Sequence, residues 1–380
     1  MFELSKERQM LIKMVREFSE KEIAPLADEL DRTGEFPNET TMKLCRLGLL
    51  GLNVPKEYGG AGLKDVDKVL TVMEVARACS STGEMFAVQL LVNDIIVHHG
   101  TEEQKHKYLG MTCKEGKLGA FALTEPGAGS DAGGLQTTAV QDGDYYILNG
   151  SKCFISNVGP HEGDYAIVIT VTDKAKKTHG GMTAFLVDRD TPGFTVGKLE
   201  DKMGIRGAAV SELIFEDCRV HKSQILGKVG KGFHIAMSGL DSGRVGIASQ
   251  ACGEAQAALD AAIEYAKQRS QFGRPIATKQ GLQWYLAEMA TKLEAAKLLA
   301  LKAADLRDRG EPAGMNASMA KFFAAETANE IAAKALQIHG GYGYMKDYAI
   351  ERIYRDTRIL TIYEGTSEVQ KIVIAKELLK

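Results

Sequence analysis

Gly119-Ala-Phe-Ala-Leu-Thr-Glu-Pro-Gly-Ala-Gly-Ser-Asp-Ala-Gly-Gly134 is the stretch on which the fold turns. Within it, Gly127-x-Gly129-x-x-Ala132 nominally satisfies a dinucleotide fingerprint. That fingerprint works only where a helix follows and offers its N-terminus to a pyrophosphate within a βαβ unit. Here short apolar segments follow instead: Tyr145-Tyr-Ile-Leu-Asn-Gly150, Tyr165-Ala-Ile-Val-Ile-Thr-Val171, Met182-Thr-Ala-Phe-Leu-Val187 and Ser211-Glu-Leu-Ile-Phe215. Asp-Gly, Asn-Gly and Gly-Gly pairs punctuate them, which is the pattern of short strands. No helix alternates with them, so a doubly wound α/β sheet is disfavoured. Residues 118–228 are expected to form a β domain, a barrel or sandwich. The glycine-rich loop carries the Thr124 and Ser130 hydroxyls and free N–H groups. It is read either as a cradle for a planar heterocycle or an anion, or as a plain surface turn.

The texture is helical on both sides. Ser5 can cap a first helix with Met10, Ile12, Met14, Val15 and Phe18 on its apolar side. Pro25 kinks or restarts it and Thr33-Gly34 closes it. Further helices are expected over 37–48, 64–80 and 83–98, with the glycine-rich stretch 55–62 as a loop. Thr101-Glu-Glu-Gln104 is a capping box opening a helix that ends near Gly116. Beyond Gly232 the chain is rich in Ala, and 250–268, 281–308 and 315–339 read as long amphipathic helices of an antiparallel bundle. The fold class is α+β, with helical residues 1–117, a β domain at 118–228 and a helical bundle at 229–380. The broad apolar stripes of that bundle leave room for oligomerisation.

With 380 residues the chain exceeds what one core usually serves. Its net charge of -3 and the absence of a long basic run argue against nucleic acid or an anionic membrane as the main partner. The most apolar helical stretch, 85–97, is broken by Gln89, Asn93 and Asp94 and is too short to span a bilayer. The N-terminal residues have neither an apolar signal region nor an Arg-rich presequence, so a cytoplasmic protein is expected. The six cysteines form no Cys-x-x-Cys pair, and neither a zinc site nor a disulfide framework is indicated.

One carboxylate stands out near the C-terminus, in Ile359-Leu-Thr-Ile-Tyr-Glu-Gly-Thr-Ser-Glu-Val-Gln370. An apolar run stops at Tyr363 and a helix start follows, with Ser367 as expected N-cap and Gln370 as its capping-box partner. Glu364 thus lies on a loop before a helix N-terminus. An arbitrary Glu-Gly pair is most often a surface turn; a desolvated one is a stronger base. Four further segments invite attention. Asn149-Gly-Ser-Lys-Cys-Phe-Ile-Ser-Asn157 reads as a strand after a turn. Leu240-Asp-Ser-Gly-Arg244 reads as a break near the start of a helical region, holding an Asp–Arg pair. Arg269-Ser-Gln-Phe-Gly273 reads as an ordinary helix end. Gln337-Ile-His-Gly-Gly-Tyr-Gly343 is a helix end whose glycines admit close approach of a backbone or ligand.

Taken together and in this order, these segments are similar to the acyl-CoA dehydrogenase family over essentially the whole chain. The resemblance rests on Phe121-Ala-Leu-Thr-Glu-Pro-Gly-Ala-Gly-Ser-Asp, Asn149-Gly-Ser-Lys-x-Phe-Ile, Arg269-x-x-Phe-Gly, Gln337-Ile-x-Gly-Gly-Tyr-Gly and Ile362-Tyr-Glu-Gly-Thr. The look is nearest to short-chain members. The tail Gln337-Ile-His-Gly-Gly-Tyr-Gly-Tyr-Met-Lys-Asp-Tyr resembles those of anaerobic 2-enoyl-CoA reductases acting on acryloyl-CoA or aryl-propenoyl-CoA.

The resemblance implies a C-terminal four-helix bundle, FAD, an acyl-CoA or enoyl-CoA substrate, electron-transfer flavoprotein as electron partner, and a homotetramer built as a dimer of dimers. It implies that Glu364 takes the α proton while the β hydrogen leaves as hydride to flavin. The family's backbone N–H of that Glu, with a flavin ribityl hydroxyl, bonds the thioester carbonyl. Carried over by position, Phe121, Leu123, Thr124, Gly129 and Ser130, with Phe154, Ile155 and Ser156, would line the flavin. Arg269, Phe272, Gln280, Gln337, Ile338, His339, Gly340 and Gly341 would reach FAD across a subunit interface, and Thr366, Ser367 and Glu368 would sit near its phosphates. Ser130, Asp241, Arg244 and Gly365 would touch the CoA substrate. Bound apolar substrate is expected to raise the Glu364 pKa toward neutrality. Two departures stand: Phe154 replaces a Trp of many relatives, and Gly243 occupies the position where the isovaleryl-type branch carries its base. The rival readings are an enoyl-CoA reductase, an oxidase and an inactive acyl-CoA-binding scaffold. Phe86, Gln89 and Leu90 are candidates for the floor of the acyl pocket.

Overall fold

The computed structural model describes residues 4–159 and 164–380. It opens with α1 (Lys6–Phe18), where the Ser5 hydroxyl accepts from the Arg8 N–H. A π turn and a 3-10 turn containing Pro25 lead into α2 (Ala27–Thr33), closed by Gly34 at φ 72°. There follow α3 (Asn38–Arg46), α4 (Asp65–Ala78) and α5 (Ser80–His99). The capping box at Thr101 and Gln104 forms in both directions and opens α6 (Glu102–Gln104), which continues through a π turn into α7 (Gly110–Glu115). No helix among the described residues is long and apolar enough to cross a membrane.

The middle region holds β1 (Gly119–Ala122), β2 (Thr138–Asp142), β3 (Tyr145–Ser156), β4 (Tyr165–Val171), β5 (Met182–Asp188), β6 (Phe194–Leu199), β7 (Val210–His221) and β8 (Ile225–Leu226). Their order is β6-β7-β3-β2-β4-β5-β8, with β1 pairing parallel to β4 off that path. β4 is apolar at nearly every position because both its faces are covered. Ala166 and Val168 face a β core with Phe185 and Phe215, whereas Tyr165, Ile167 and Ile169 face helices through Leu91, Tyr108 and Ile235. This second core fixes the β domain against the helices, and so places the loops that leave β1 and β3.

Three local expectations are corrected here. Asn149-Gly150 is no turn: β3 runs straight through it, with a register shift against β7 between Leu148 and Gly150. A Cβ on Gly150 would stand 2.7 Å from the Thr137 Cα, so a neighbouring backbone explains the glycine. Nor is 240–244 a break. It lies inside α8 (Gly232–Gln268), one continuous helix of 37 residues. And Gly273 is not a helix cap: α8 ends at Gln268, and β9 (Ser270–Gln271) and β10 (Arg274–Pro275) form a hairpin around Phe272 and Gly273, at φ 55° and 77°. Two successive positive φ values mark the turn whose twist suits a two-residue hairpin.

The C-terminal layer continues with α9 (Gln280–Asp308), α10 (Gly314–His339), α11 (Ala349–Thr357) and α12 (Ser367–Leu378). α8, α9, α10 and α12 form the bundle, and α4 packs against α8 and α9. Its core is largely alanine, including Ala251, Ala300, Ala324 and Ala332. Small side chains bring helix axes close; a Cβ on Gly253 of α8 would stand 2.4 Å from the Met73 carbonyl of α4. The N-cap of α12 is Thr366, whose hydroxyl accepts from the Val369 N–H, and not Ser367. Ser367 is the first helical residue and gives its hydroxyl to Glu326 at 2.6 Å. Gln370 does reach back, donating to the carbonyls of Glu364 and Gly365.

Candidate active site

Glu364 and Gly365 stand between a 3-10 turn and α12 at φ 55° and 90°. A left-handed Glu is strained by roughly 1–2 kcal/mol, and such strain concentrates at functional sites. Gly365 is required: besides its φ, a Cβ there would stand 2.6 Å from the Gln370 amide nitrogen. The turn is also pinned by Lys321 of α10, whose buried ammonium donates to the Gly365 carbonyl at 2.7 Å.

This turn aims the carboxylate of Glu364 at α8. A Cβ on Gly243 would stand 2.2 Å from Glu364 Oε2. The missing side chain at 243 is therefore the space the carboxylate occupies, and a base projected from either position would reach the same place. Glu364 Oε2 is shut from solvent and has no hydrogen-bond partner. Burial pushes its pKa up to about 7; Arg244 and Lys321 oppose the rise, and the nearby Glu84 adds to it. The surface-turn reading of Glu364 is thus overturned. The protein's own burial of the group already produces this rise. Among the described residues the Glu364 backbone N–H has no partner, which leaves a donor beside the carboxylate.

The cationic neighbours are arranged with care. Arg244, one residue beyond Gly243, is buried and bonds Asp241 at 2.6 Å. Lys68 of α4, fully buried, donates to Ser242 at 2.6 Å and lies 3.3 Å from Asp65. Burial pushes Lys321 down to about 8. Asp241, Arg244, Gly365 and Glu364 are therefore brought together. Lys321 and Lys68 were missed in the sequence; the only signal is a lysine within an otherwise apolar helical stripe.

The glycine-rich loop after β1 is welded to β3 by a buried ion pair that sequence reasoning also missed. Glu125 accepts from Lys152 at 2.7 Å and from the N–H groups of Gln136 and Thr137. Lys152 donates in addition to the Leu123 carbonyl. Burial alone would raise the Glu125 pKa, but Lys152 and these donors hold it below its ordinary value. The loop from Thr124 to Ser130 is thereby fixed, with Gly129 and Ser130 exposed and open space where a Cβ on Gly127 or Gly129 would stand. A bulge in β3 between Lys152 and Ile155 puts Phe154 at φ 58° and 65% exposed. It turns the ring outward while Cys153 and Ile155 pack inward. Ile155 belongs to the β core, and the bond from β3 to the loop is made by the Cys153 N–H to the Thr124 carbonyl.

A second set lies elsewhere. Arg269, Ile338, His339, Gly340 and Gly341 line an open cavity of about 580 Å³ with Tyr265, Tyr342 and Met345. His339 stacks on Tyr265 at 4.3 Å between ring centroids. Gln337 and Gln280 are exposed, and Phe272 caps the hairpin at 91% exposure. Along α8, Arg269 lies roughly 39 Å from Gly243 at 1.5 Å per residue. One chain therefore does not bring this set to its own Glu364. Two of the pocket-floor candidates, Phe86 and Leu90, pack into the core of the first helical region, and Gln89 bonds Asn93, Thr112 and the Gly119 N–H. Glu84 of α5 lies near enough to Glu364 for its charge to be felt there.

Three family models cover the chain in order: the acyl-CoA dehydrogenase N-terminal domain over residues 5–115, the middle domain over 120–218 and the C-terminal domain over 230–379. The chain belongs to the acyl-CoA dehydrogenase family. It is 52% identical over 377 residues to the 3-(aryl)acrylate reductase of Clostridium sporogenes, covering 99% of each chain. Its structure matches that of butyryl-CoA dehydrogenase from Megasphaera elsdenii at a TM-score of 0.97 and 43% identity, over 100% of both chains. A chain in the structure of the electron transferring flavoprotein of Acidaminococcus fermentans matches equally, at 0.97 and 46% identity, over 100% of both. The protein is accordingly an FAD-dependent oxidoreductase that interconverts acyl-CoA and 2-enoyl-CoA thioesters. The residues present suit that cofactor: the exposed Phe154 offers a bare aromatic face, and Gly340 and Gly341 leave open space beside Arg269.

Proposed function

We propose that Glu364 is the acid–base residue of this oxidoreduction, acting on a short-chain acyl-CoA and its trans-2-enoyl-CoA, with electrons exchanged with electron-transfer flavoprotein. The observation that carries this reading is the unpartnered Glu364 Oε2, buried against Gly243. A carboxyl group with a pKa near 7 is matched to proton transfer at neutral pH. The Glu364 N–H polarises the thioester carbonyl, and that interaction strengthens as enolate charge develops. Arg244 and Lys321 keep the ionised form of the base accessible. The thioester's CoA portion meets Ser130, Asp241, Arg244 and Gly365. FAD, held by residues 121–130 and 154–156, supplies the two-electron exchange at the β carbon. Arg269, Phe272, Gln280 and 337–341 reach the cofactor of a second copy within a homotetramer, as the separation along α8 supports. Thr366, Ser367 and Glu368 stand nearest its phosphates, with Ser367 contributing through its backbone because its hydroxyl is taken.

The reverse direction, physiological enoyl-CoA reduction, is the second reading. It is favoured by the relative described as a 3-(aryl)acrylate reductase. Either direction uses Glu364, with opposite protonation. Dehydrogenation needs the carboxylate, so its half-reaction should quicken as pH rises through about 7; enoyl reduction needs the acid and should slow over the same range. The test is the anaerobic visible spectrum of the purified protein before and after butanoyl-CoA is added, repeated with Glu364→Gln. The flavin band should bleach in the wild type, with the rate falling by about 10²–10⁴-fold in the variant. Equal bleaching in both would remove Glu364 from the chemistry, and a protein that takes up no flavin would restore the scaffold reading.

A further inference from the structure

Outside the residues that the reaction needs, the site contains a buried acid with nothing to bond. Glu84, the fifth residue of α5, is 0% exposed, and neither carboxylate oxygen has a hydrogen-bond partner. A buried carboxyl left without donors costs several kcal/mol, so such a group calls for an occupant. Close by, Asn157 donates from its amide to the Met85 carbonyl, while its own Oδ1 is also buried and unpartnered. Two orphaned acceptors therefore flank the junction of α5 with the end of β3. Ser156 and the Lys202 ammonium lie close enough to oppose the rise that burial causes in the Glu84 pKa, but neither bonds Glu84, and Lys202 donates instead to the Glu200 and Ala208 carbonyls.

The helix packing places this junction. α5 and α8 cross antiparallel: a Cβ on Gly239 would meet Ile95, and one on Gly246 would meet Ala87. Glu84, Ala87, Leu91 and Ile95 share one stripe of α5 at helical spacing. Continuing the register puts Glu84 opposite Gln250, whose side-chain oxygen accepts from the Tyr363 hydroxyl at 2.7 Å. Gln250 is seven residues beyond Gly243, or roughly 10 Å along α8. Glu84 thus stands about two turns deeper than the base, on the line from Glu364 past Tyr363.

We propose that Glu84 is a specificity-determining residue that accepts a hydrogen bond from a hydroxyl at the far end of the acyl group, so that the preferred substrates are hydroxyacyl-CoA or hydroxyaryl-acyl-CoA thioesters and their enoyl forms. The inference rests on the acyl-CoA reading and extends it from short chains to longer acyl groups that end in a hydroxyl. Burial pushes the Glu84 pKa to about 7 and that of Glu254, one turn beyond Gln250, to about 8. A neutral hydroxyl suits this carboxyl-lined end. A plain alkyl terminus would leave Glu84 desolvated and unbonded, and sites built to bond a hydroxyl reject analogues lacking it far more strongly than apolar pockets discriminate by size.

The test uses the FAD-loaded protein and two matched pairs, 6-hydroxyhexanoyl-CoA against heptanoyl-CoA and 3-(4-hydroxyphenyl)propanoyl-CoA against 3-(4-methylphenyl)propanoyl-CoA. Flavin bleaching is followed anaerobically in the wild type, in Glu84→Gln and in Glu84→Leu. In the wild type kcat/KM should favour the hydroxylated member of at least one pair by tenfold or more. Glu84→Gln should retain a preference, and Glu84→Leu should reverse it. A wild-type ratio near one or below in both pairs would show that ordered water alone satisfies Glu84, and would overturn the proposal without needing either variant to fold. An unchanged ratio in a folded Glu84→Leu would do the same. If no thioester bleaches the flavin and no enoyl form reoxidises the reduced protein, the acyl-CoA reading fails, and this inference falls with it.

Discussion

Glu125 and Glu364 are both glutamates in glycine-rich turns, both withdrawn from water, and their chemistry points in opposite directions. Glu125 meets an ammonium and two backbone N–H groups, and its pKa is held low. Glu364 has one oxygen against a bare glycine and no donor to it, and its pKa is pushed up to about 7. Burial is common to the two; the supply of donors separates them. The first carboxylate is an anchor that fixes a loop, and the second is left reactive. Lys321 sharpens the contrast, because its ammonium donates to the Gly365 carbonyl and makes no bond to the Glu364 carboxylate. It thereby fixes the turn while leaving the base free.

The largest stability effect should fall on the anchor. Glu125→Gln leaves Lys152 buried without its counter-charge, and breaking such a pair costs about 3–5 kcal/mol. The double variant Glu125→Gln with Lys152→Met should recover much of that loss. Urea unfolding of the FAD-loaded protein reads both; a single variant within 1 kcal/mol of wild type would erase the distinction drawn here.

Next in size is the pH dependence of Glu364. Its folded pKa, about 7, lies above the ordinary 4.5, so the folded state holds a proton that the unfolded chain has lost. Stability from this group is complete below about pH 4.5, declines as pH rises toward 7 and is level beyond. Glu364→Gln should therefore be more stable than wild type above pH 7 by an amount on the order of 3 kcal/mol. Below pH 4.5 the difference should vanish. A constant difference between pH 4 and 8 would mean that the carboxyl is not held protonated by burial.

The smallest effect concerns the helix that follows. Thr366→Ala removes the cap of α12 and should cost about 1 kcal/mol. If Ser367→Ala is instead the costlier change through loss of the cap, with Thr366→Ala neutral, the turn presenting Glu364 is held differently from the arrangement described here. Thermal melts of the two variants decide it.

Much of this was legible in the sequence. Alternation and Gly punctuation between Gly119 and His221 identified strands, because a half-buried strand must repeat every second residue. Ser5, Gly34, Thr101 and Gly116 marked helix ends, because capping is local chemistry. The resemblance to the family singled out Glu364 within Tyr-Glu-Gly, and the glycine at 243 leaves that position without a carboxylate. Other features depended on partners distant in the chain. Asn149-Gly150 looks like a turn, yet it lies mid-strand beside Thr137, and Leu240–Arg244 looks like a break yet lies mid-helix under Glu364. The outward face of Phe154 exists only because β3 bulges against β7. The pairing of Lys152 with Glu125, the packing of Gln89 against Gly119 and the isolation of Glu84 are likewise contacts between segments. The sequence by itself determined which segments are helix or strand, since periodicity, capping and turn chemistry act within a few residues. Only the tertiary structure decided which buried acids find donors and which do not. That outcome depends on what stands across from them, and proton affinity follows from it.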